Sequence, residues 1–231
     1  MEIAPMRCVA RIRTDYKEKF GIPRQSGLVP DAMGKIVFEP EFRSDDALRG
    51  LEGFSHIWLI WEFSESVRSE WSPTVRPPRL GGNVRMGVFA TRSPFRPNPI
   101  GLSVVKLEEI CSGTPDGTVL IVSGADLLDG TPILDIKPYV PYSDSIPDAL
   151  GGFASNAPDA ALEVHFPVEL LEIVPVDKRE ALFAVLALDP RPRYQDDPSR
   201  VYGFRFAELE IRFSVNGETL TVLAVEPAAD A

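Results

Sequence analysis

The sequence predicts a mainly β protein: a compact single-sheet β-barrel over residues 1–145, a linker at 146–161 and a small α+β domain at 162–231. Three observations predict it. At least six short runs in the first part are β-branched, aromatic or alternate apolar with polar residues. Only one brief helix accompanies them, with no repeating strand–helix rhythm. From Ser145 to Ala161 the composition then shifts to Pro, Ala, Gly, Ser, Asn and Asp, as in a connection between domains.

Taken in order, Arg7 to Arg13 alternates basic and apolar residues and reads as a half-buried strand. Tyr16 to Gln25 has neither period and ends near a proline, so it reads as an ordered loop. Lys35 to Phe38 is a second strand, and Ser44-Asp45-Asp46 is positioned to cap a short helix, Ala47 to Leu51, stopped at Gly53. Ser55 to Phe63, SHIWLIWEF, is almost unbroken in hydrophobicity, as expected of a strand covered on both faces. Trp71 to Asn83 is a long Pro/Gly loop of the kind that tends to be functional. Leu102 to Ile110, Thr118 to Val122 and Pro132 to Val140 complete the barrel, with a turn at Asp129-Gly130. In the tail, Val164-His165-Phe166 starts a new unit, and Asp177 with Glu180 suggests a capping box for a helix ending near Leu188. Leu209 to Val215 alternates strictly before a hairpin turn at Asn216-Gly217.

Composition narrows the functional classes. The 231 residues can bury a core without a metal or disulfide staple. Cys8 and Cys111 lack CxxC spacing, which argues against a disulfide framework or zinc site and for a reducing, cytoplasmic setting. Pro5 and charges interrupt the N-terminus before any signal-peptide core, and the longest apolar run, Ile57 to Trp61, is too short to span a bilayer. No GxSxG, HExxH, GxxxxGK[ST] or GxGxxG element is present. With His56 and His165 the only histidines, a Ser-His-Asp or metal-histidine site has little material. The net charge of −10 disfavours nucleic acid, yet its distribution does not. Arg76, Arg79, Arg85, Arg92 and Arg96 lie in a stretch from Val75 to Ile100 free of acidic residues, whereas ten acidic residues and one lysine follow between Leu107 and Glu163.

That basic stretch contains the most informative segment, Gly87 to Gly101, GVFATRSPFRPNPIG. It reads as a strand, Val88 to Ala90, running into a loop whose three prolines fix three φ angles. Arg92, Arg96 and Asn98 on so stiff a frame suit a phosphate, carboxylate or base edge, and suit a solvated turn equally well. Asp126 and Asp129, in GADLLDGTP, could satisfy their own turn, accept hydroxyl or amino groups of a nucleoside, or take a proton.

The strings YKEKFGIPRQ, ALRGLEGFSHIWLIWEF, TVRPPRLGGNVRMGVFATRSPFRPNPIGLS and GADLLDGTPILDIKPYVPYSDS resemble the TsaA-like family in its tRNA methyltransferase (TrmO) branch, over about residues 7–145. Leu188 to Tyr194, LDPRPRY, resembles that branch's DPRPxY motif, implicated in tRNA binding. The resemblance implies a homodimeric β-barrel enzyme with sites near the protomer interface. It would use S-adenosylmethionine, without a metal, to methylate N6 of threonylcarbamoyladenosine next to the tRNA anticodon, at position 37. By position, cofactor contacts fall at Pro23, Arg24, Gln25, Ser64, Glu65, Arg92, Leu102, Gly124, Ala125, Asp126 and Leu127; Ser64-Glu65 departs from the His-containing pair of relatives. Asp126 is the candidate base and Tyr139 a candidate orienting donor, a mechanism without a protein base remaining open. Arg76, Arg79, Arg85, Arg96, Asn98, Asp189, Pro190, Arg191, Pro192 and Tyr194, with Arg193, are expected to face tRNA. A non-catalytic β-barrel RNA-binding module is the alternative.

Overall fold

The computed structural model of the chain describes residues 5–155, 162–191 and 197–228. β1 (Ala10–Thr14), β2 (Met33–Phe38) and β3 (His56–Glu62) are followed by a small ribbon, β4 (Thr74–Val75) and β5 (Met86–Gly87). After it come β6 (Ile100–Thr114), β7 (Gly117–Ser123) and β8 (Pro132–Pro138). Without the ribbon, these strands close into a barrel in the order β1-β2-β7-β6-β3-β8. Neighbours are antiparallel all round. β6 closes the barrel by serving two neighbours, pairing with β3 through residues 100–106 and with β7 through residues 106–114.

Alternation places one side of each strand inside. Ala10, Ile12, Ile36, Ile57, Leu59, Val105, Leu120, Val122 and Ile133 form the barrel core, each large aliphatic side chain contributing roughly 1.5–3 kcal/mol by burial. β3 is covered less evenly than its hydrophobicity suggests. Ile57, Leu59 and Trp61 are buried, while His56, Trp58 and Ile60 are half-buried. The outer face is sheltered in part by α1 (Pro141–Asp144), where Asp144 Oδ2 accepts a 3.0 Å bond from Trp58 Nε1.

Local expectations fail where short turns replace longer elements. Val88 to Ala90 is a 3₁₀ turn, closed by Thr91 N–H on the Val88 carbonyl at 3.1 Å, so the strand ends at Gly87. The expected helix at Ala47 is two 3₁₀ turns, Asp45–Leu48 and Leu51–Gly53, and Ser44 makes no side-chain cap.

The second unit contains β9 (Glu163–His165), α2 (Val168–Leu171), α3 (Arg179–Ala187), β10 (Tyr202–Phe206), β11 (Leu209–Asn216) and β12 (Thr219–Pro227). Its sheet runs β10-β11-β12-β9, with β9 parallel to β12. The α+β unit is thus a four-stranded sheet, larger than the one hairpin legible at Asn216-Gly217. Asp177 does not cap α3; a 3₁₀ turn at Val176–Lys178 leads into the helix instead, without a side-chain cap bond. Asn216 pairs with Thr219, so the hairpin loop is Gly217-Glu218, one residue later than expected.

The two units share a core. Tyr16, Val29 and Ala32, with Phe20 and Ile22 packed against them, belong to the cluster built on α3 and the second sheet. Ala207 N–H bonds the Asp15 carbonyl at 2.8 Å, and Lys178 Nζ lies 2.7 Å from Asp15 Oδ2. The segment between β1 and β2 thus ties barrel to tail. Its Gly21 has φ +89°, and a Cβ there would come within 2.6 Å of the Phe204 ring. Gly21→Ala is expected to lower the free energy of unfolding by about 1–3 kcal/mol, through overpacking at this joint, as measured by urea denaturation.

Candidate functional site

Register brings three connections to one barrel mouth. Glu62 pairs with Ile100, Thr14 with Gly34 and Trp61 with Ile133. Residues 15–32, 63–99 and 124–131 therefore emerge together. With Val185 and Leu188 to Arg191 of the second unit they line a cleft of about 2470 Å³. Eight basic and five acidic side chains line it, although the chain as a whole carries −10. The cleft thus concentrates positive potential where the rest of the protein is acidic.

At its inner end is a hydrogen-bonded chain. Trp61 Nε1 donates to Ser103 Oγ at 3.0 Å, and Ser103 Oγ donates to Asp126 Oδ1 at 2.6 Å. Trp61 and Ser103 project from paired strands, β3 and β6, so this geometry rests on sheet register. Gly101 makes room for it, since a Cβ at 101 would overlap the Trp61 indole. Burial is the largest influence on the Asp126 carboxyl and pushes its pKa above the usual carboxylate range. The Ser103 hydroxyl, backbone N–H groups including that of Ser26, and the Arg92 charge oppose it only in part. A carboxylate so placed is more basic than a solvated one and still reaches the cleft.

The other expected site residues divide into three groups. Pro23, Arg24, Gln25, Ser64, Glu65, Arg92 and Leu102 line the cleft with Asp126. Arg92 Nη1 hydrogen-bonds Gln25 Oε1, and Leu102 is 53% exposed. Lys19 Nζ bonds the Glu65 carbonyl at 2.6 Å, fixing the turn after β3. By contrast Ala125 and Leu127 are in the barrel core, and buried Gly124 uses its backbone to bond Gly27 and Ala32, so none of the three side-chain positions lines the cleft. Asp129 also separates from Asp126. It accepts the Thr14 N–H at 3.0 Å and Lys17 Nζ at 3.2 Å, holding the turn against β1.

Tyr139 corrects the expectation of an orienting donor. It packs on His56 and Trp58, whose side chains lie on the outer side of β3, opposite the inward-facing Trp61. His56 Nδ1 is 2.9 Å from Ser55 Oγ, likewise away from the cleft.

Among residues expected to face tRNA, Arg76, Arg85, Arg96, Asn98, Asp189, Pro190 and Arg191 line the cleft and Arg79 does not. Arg96 Nη1 turns back to the Thr91 carbonyl at 3.1 Å, bracing its own loop. Arg191 is no open phosphate contact: its guanidinium lies in a bidentate pair with Asp189, at 2.8 and 3.0 Å, and its side chain is only 10% exposed. Asp189 has φ +54°, and the pair forms part of the wall of the cleft. Pro192, Arg193 and Tyr194 lie outside the described residues.

Sequence reasoning passed over Ser103, Phe63, Arg68, Trp71 and Phe89. A signal existed for Ser103: it is the one hydroxyl among the inward-facing Gly101, Ser103 and Val105 of β6. Among the described residues no group of three or more His, Cys, Asp or Glu is placed to hold a metal ion, and no helix is long and apolar enough to cross a membrane.

Known proteins share this architecture. The family model for the tRNA-methyltransferase O N-terminal domain matches residues 11–145, and that for the TrmO C-terminal domain matches residues 159–228. The chain is 46% identical over 224 residues to the tRNA (adenine(37)-N6)-methyltransferase of Escherichia coli K12, covering 94% of this chain and 95% of that one. A Pseudomonas aeruginosa protein, provisionally named the S-adenosylmethionine-dependent methyltransferase RcsF, is 44% identical over 215 residues, 89% of this chain and 90% of that one. The crystal structure of TrmO from Pseudomonas aeruginosa aligns with a TM-score of 0.78 at 37% identity, covering 99% of each chain.

Because the folded state holds the Asp126 proton more tightly than the unfolded chain, ionising this group costs stability as pH rises through its raised pKa. Asp126→Asn is therefore expected to be at least as stable as the parent at neutral pH, with a flatter stability profile across the acid range. Urea unfolding over a pH series checks this, and a clear loss of stability at neutral pH would contradict it.

Proposed function

Since this chain belongs to the TrmO family of tRNA methyltransferases, we propose that it methylates N6 of adenine 37 in tRNA using S-adenosylmethionine, and that the adenine already carries a threonylcarbamoyl group. The observation that carries the reading is the Asp126 carboxylate, made basic by burial and held by Ser103 at the end of an arginine-lined cleft. A non-catalytic RNA-binding barrel would need the arginines and would have no use for a half-buried carboxylate of raised basicity.

The residues of the mouth fit the donor. Its carboxylate suits Arg92 beside Gln25, its ammonium suits Glu65, and its adenosine suits the exposed Leu102 and Pro23, which lines the same cleft. When bound, S-adenosylmethionine supplies a methyl group activated by a sulfonium. The protein's own task is to hold the nucleotide in line and to receive one proton. An acylated exocyclic nitrogen is a poor nucleophile but a stronger acid than that of plain adenine. A modest base then suffices: Asp126 takes the N6 proton, and Ser103 keeps the receiving oxygen turned into the cleft. Arg76 and Arg85 are available for phosphates or the threonyl carboxylate.

The same proposal includes a homodimer acting in the cytoplasm. Support for a second copy comes from Tyr142, Ile146 and Leu150, an exposed apolar series just after β8. The proposal also assigns donor binding to residues 1–145 and a share of the tRNA contacts to residues 162–231.

Two variants separate the roles. Arg92→Ala is expected to abolish donor binding by calorimetry, and Asp126→Asn to lower kcat by about 10²–10⁴-fold with donor affinity retained. The kcat profile of the parent should rise with pH as Asp126 ionises, with its midpoint above the ordinary aspartate range. Mass spectrometry of digested, threonylcarbamoylated tRNA reads the product, and the absence of a methylated nucleoside with folded protein and bound donor would overturn the assignment.

A further inference from the structure

We infer that the arm formed by residues 71–89 is a stacking platform for unpaired RNA bases, with Trp71 and Phe89 gripping nucleotides that flank the target adenine. The inference deepens the tRNA reading above and rests on it.

The arm is built around two strand pairs, Thr74 with Gly87 and Val75 with Met86, extended by Val88 N–H on the Pro73 carbonyl at 3.0 Å. Trp71 enters this ribbon and Phe89 leaves it. Their rings lie side by side, with centroids 6.4 Å apart and planes inclined by 33°. Both remain in solvent, Trp71 at 55% and Phe89 at 75% exposure, and both line the same cleft as Arg92 and Asp126. Beside them the Arg68 guanidinium stacks over Phe95 at 3.6 Å. A two-pair ribbon gains little stability of its own, and exposed rings add none to the core. Their disposition therefore points outward, to a ligand.

Charge identifies that ligand. From Trp71 to Leu107 there is no acidic residue, while Arg76 and Arg85 line the cleft beside the rings. Aromatic faces next to guanidinium groups in an otherwise acidic protein suit a polyanion that also offers π faces. A duplex hides its base faces in the stack, whereas a loop displays them. A second copy of the chain fits less well, because a two-fold contact through this arm would set its arginines against their own copies.

The test uses full-length protein saturated with S-adenosylmethionine, binding either a threonylcarbamoylated anticodon stem-loop or an RNA duplex of equal length. Trp71→Ala and Phe89→Ala are each expected to weaken stem-loop binding roughly 5- to 150-fold, the range of one base–aromatic stack. Duplex affinity, donor affinity and thermal midpoint should stay at parental values, with Trp71→Phe restoring most of the loss. The slope of log affinity against log salt should be unchanged in Trp71→Ala and shallower in Arg76→Ala. In turnover with stem-loop, KM should rise and kcat at saturation be retained. Unchanged stem-loop affinity in the double variant Trp71→Ala/Phe89→Ala, with the parent methylating tRNA, would overturn the platform alone. So would loss of dimerisation by light scattering with RNA affinity intact, which would give the arm to a second copy. A parent protein that binds donor but no RNA would overturn the platform together with the tRNA reading.

Discussion

The Trp61 indole lying on Gly101, with its N–H on Ser103, is the contact on which the mouth of the barrel depends. It locks β3 to β6 where β3 also shifts register against β8, between Ile60 and Trp61. Trp61 faces inward by the same alternation that buries Ile57 and Leu59, and it orients the hydroxyl that holds Asp126. A contact in the packing layer thus sets the position of a cleft carboxylate whose pKa burial raises. The same close approach explains why position 101 tolerates no side chain.

A second dependency runs between the two units. Residues 15–32 leave the barrel and complete the core of the tail, with Tyr16, Phe20 and Ile22 packed among Phe204, Phe206 and Phe213. The same segment presents Pro23, Arg24 and Gln25 to the cleft. Cleft shape is consequently coupled to interdomain packing. The Asp189–Arg191 pair performs the matching service from the other side, trading an open cation for part of the wall.

The protein reconciles an acidic composition with a basic cleft by segregation. Six of its eighteen arginines lie in the connection between β3 and β6, where Glu65 and Glu70 are the only acidic residues. Fields add over short distances and are screened over about 8–10 Å at physiological salt. The local sign therefore governs the encounter more than the total does.

The sequence by itself determined most of the barrel strands and β11, because alternation along a strand is a local property: β1, β11 and the barrel strands from β6 to β8 are legible as period-two or β-branched runs. It also determined the family, through long unusual strings, and with it most of the residues at the mouth. β10 went unread although Tyr202, Phe204 and Phe206 alternate with Gly203 and Arg205, because five residues with a glycine among them give a weak signal until β11 pairs with them. Only the tertiary structure decided which polar groups meet. Asp126 and Asp129 are three apart in the chain, yet register sends one to the cleft and binds the other to β1. Tyr139 and Arg191 likewise keep their residue types but lose their expected roles, one to the outer face of β3 and the other to an ion pair. Side-chain direction and burial are set by contacts distant in sequence, and these emerge only once the barrel closes.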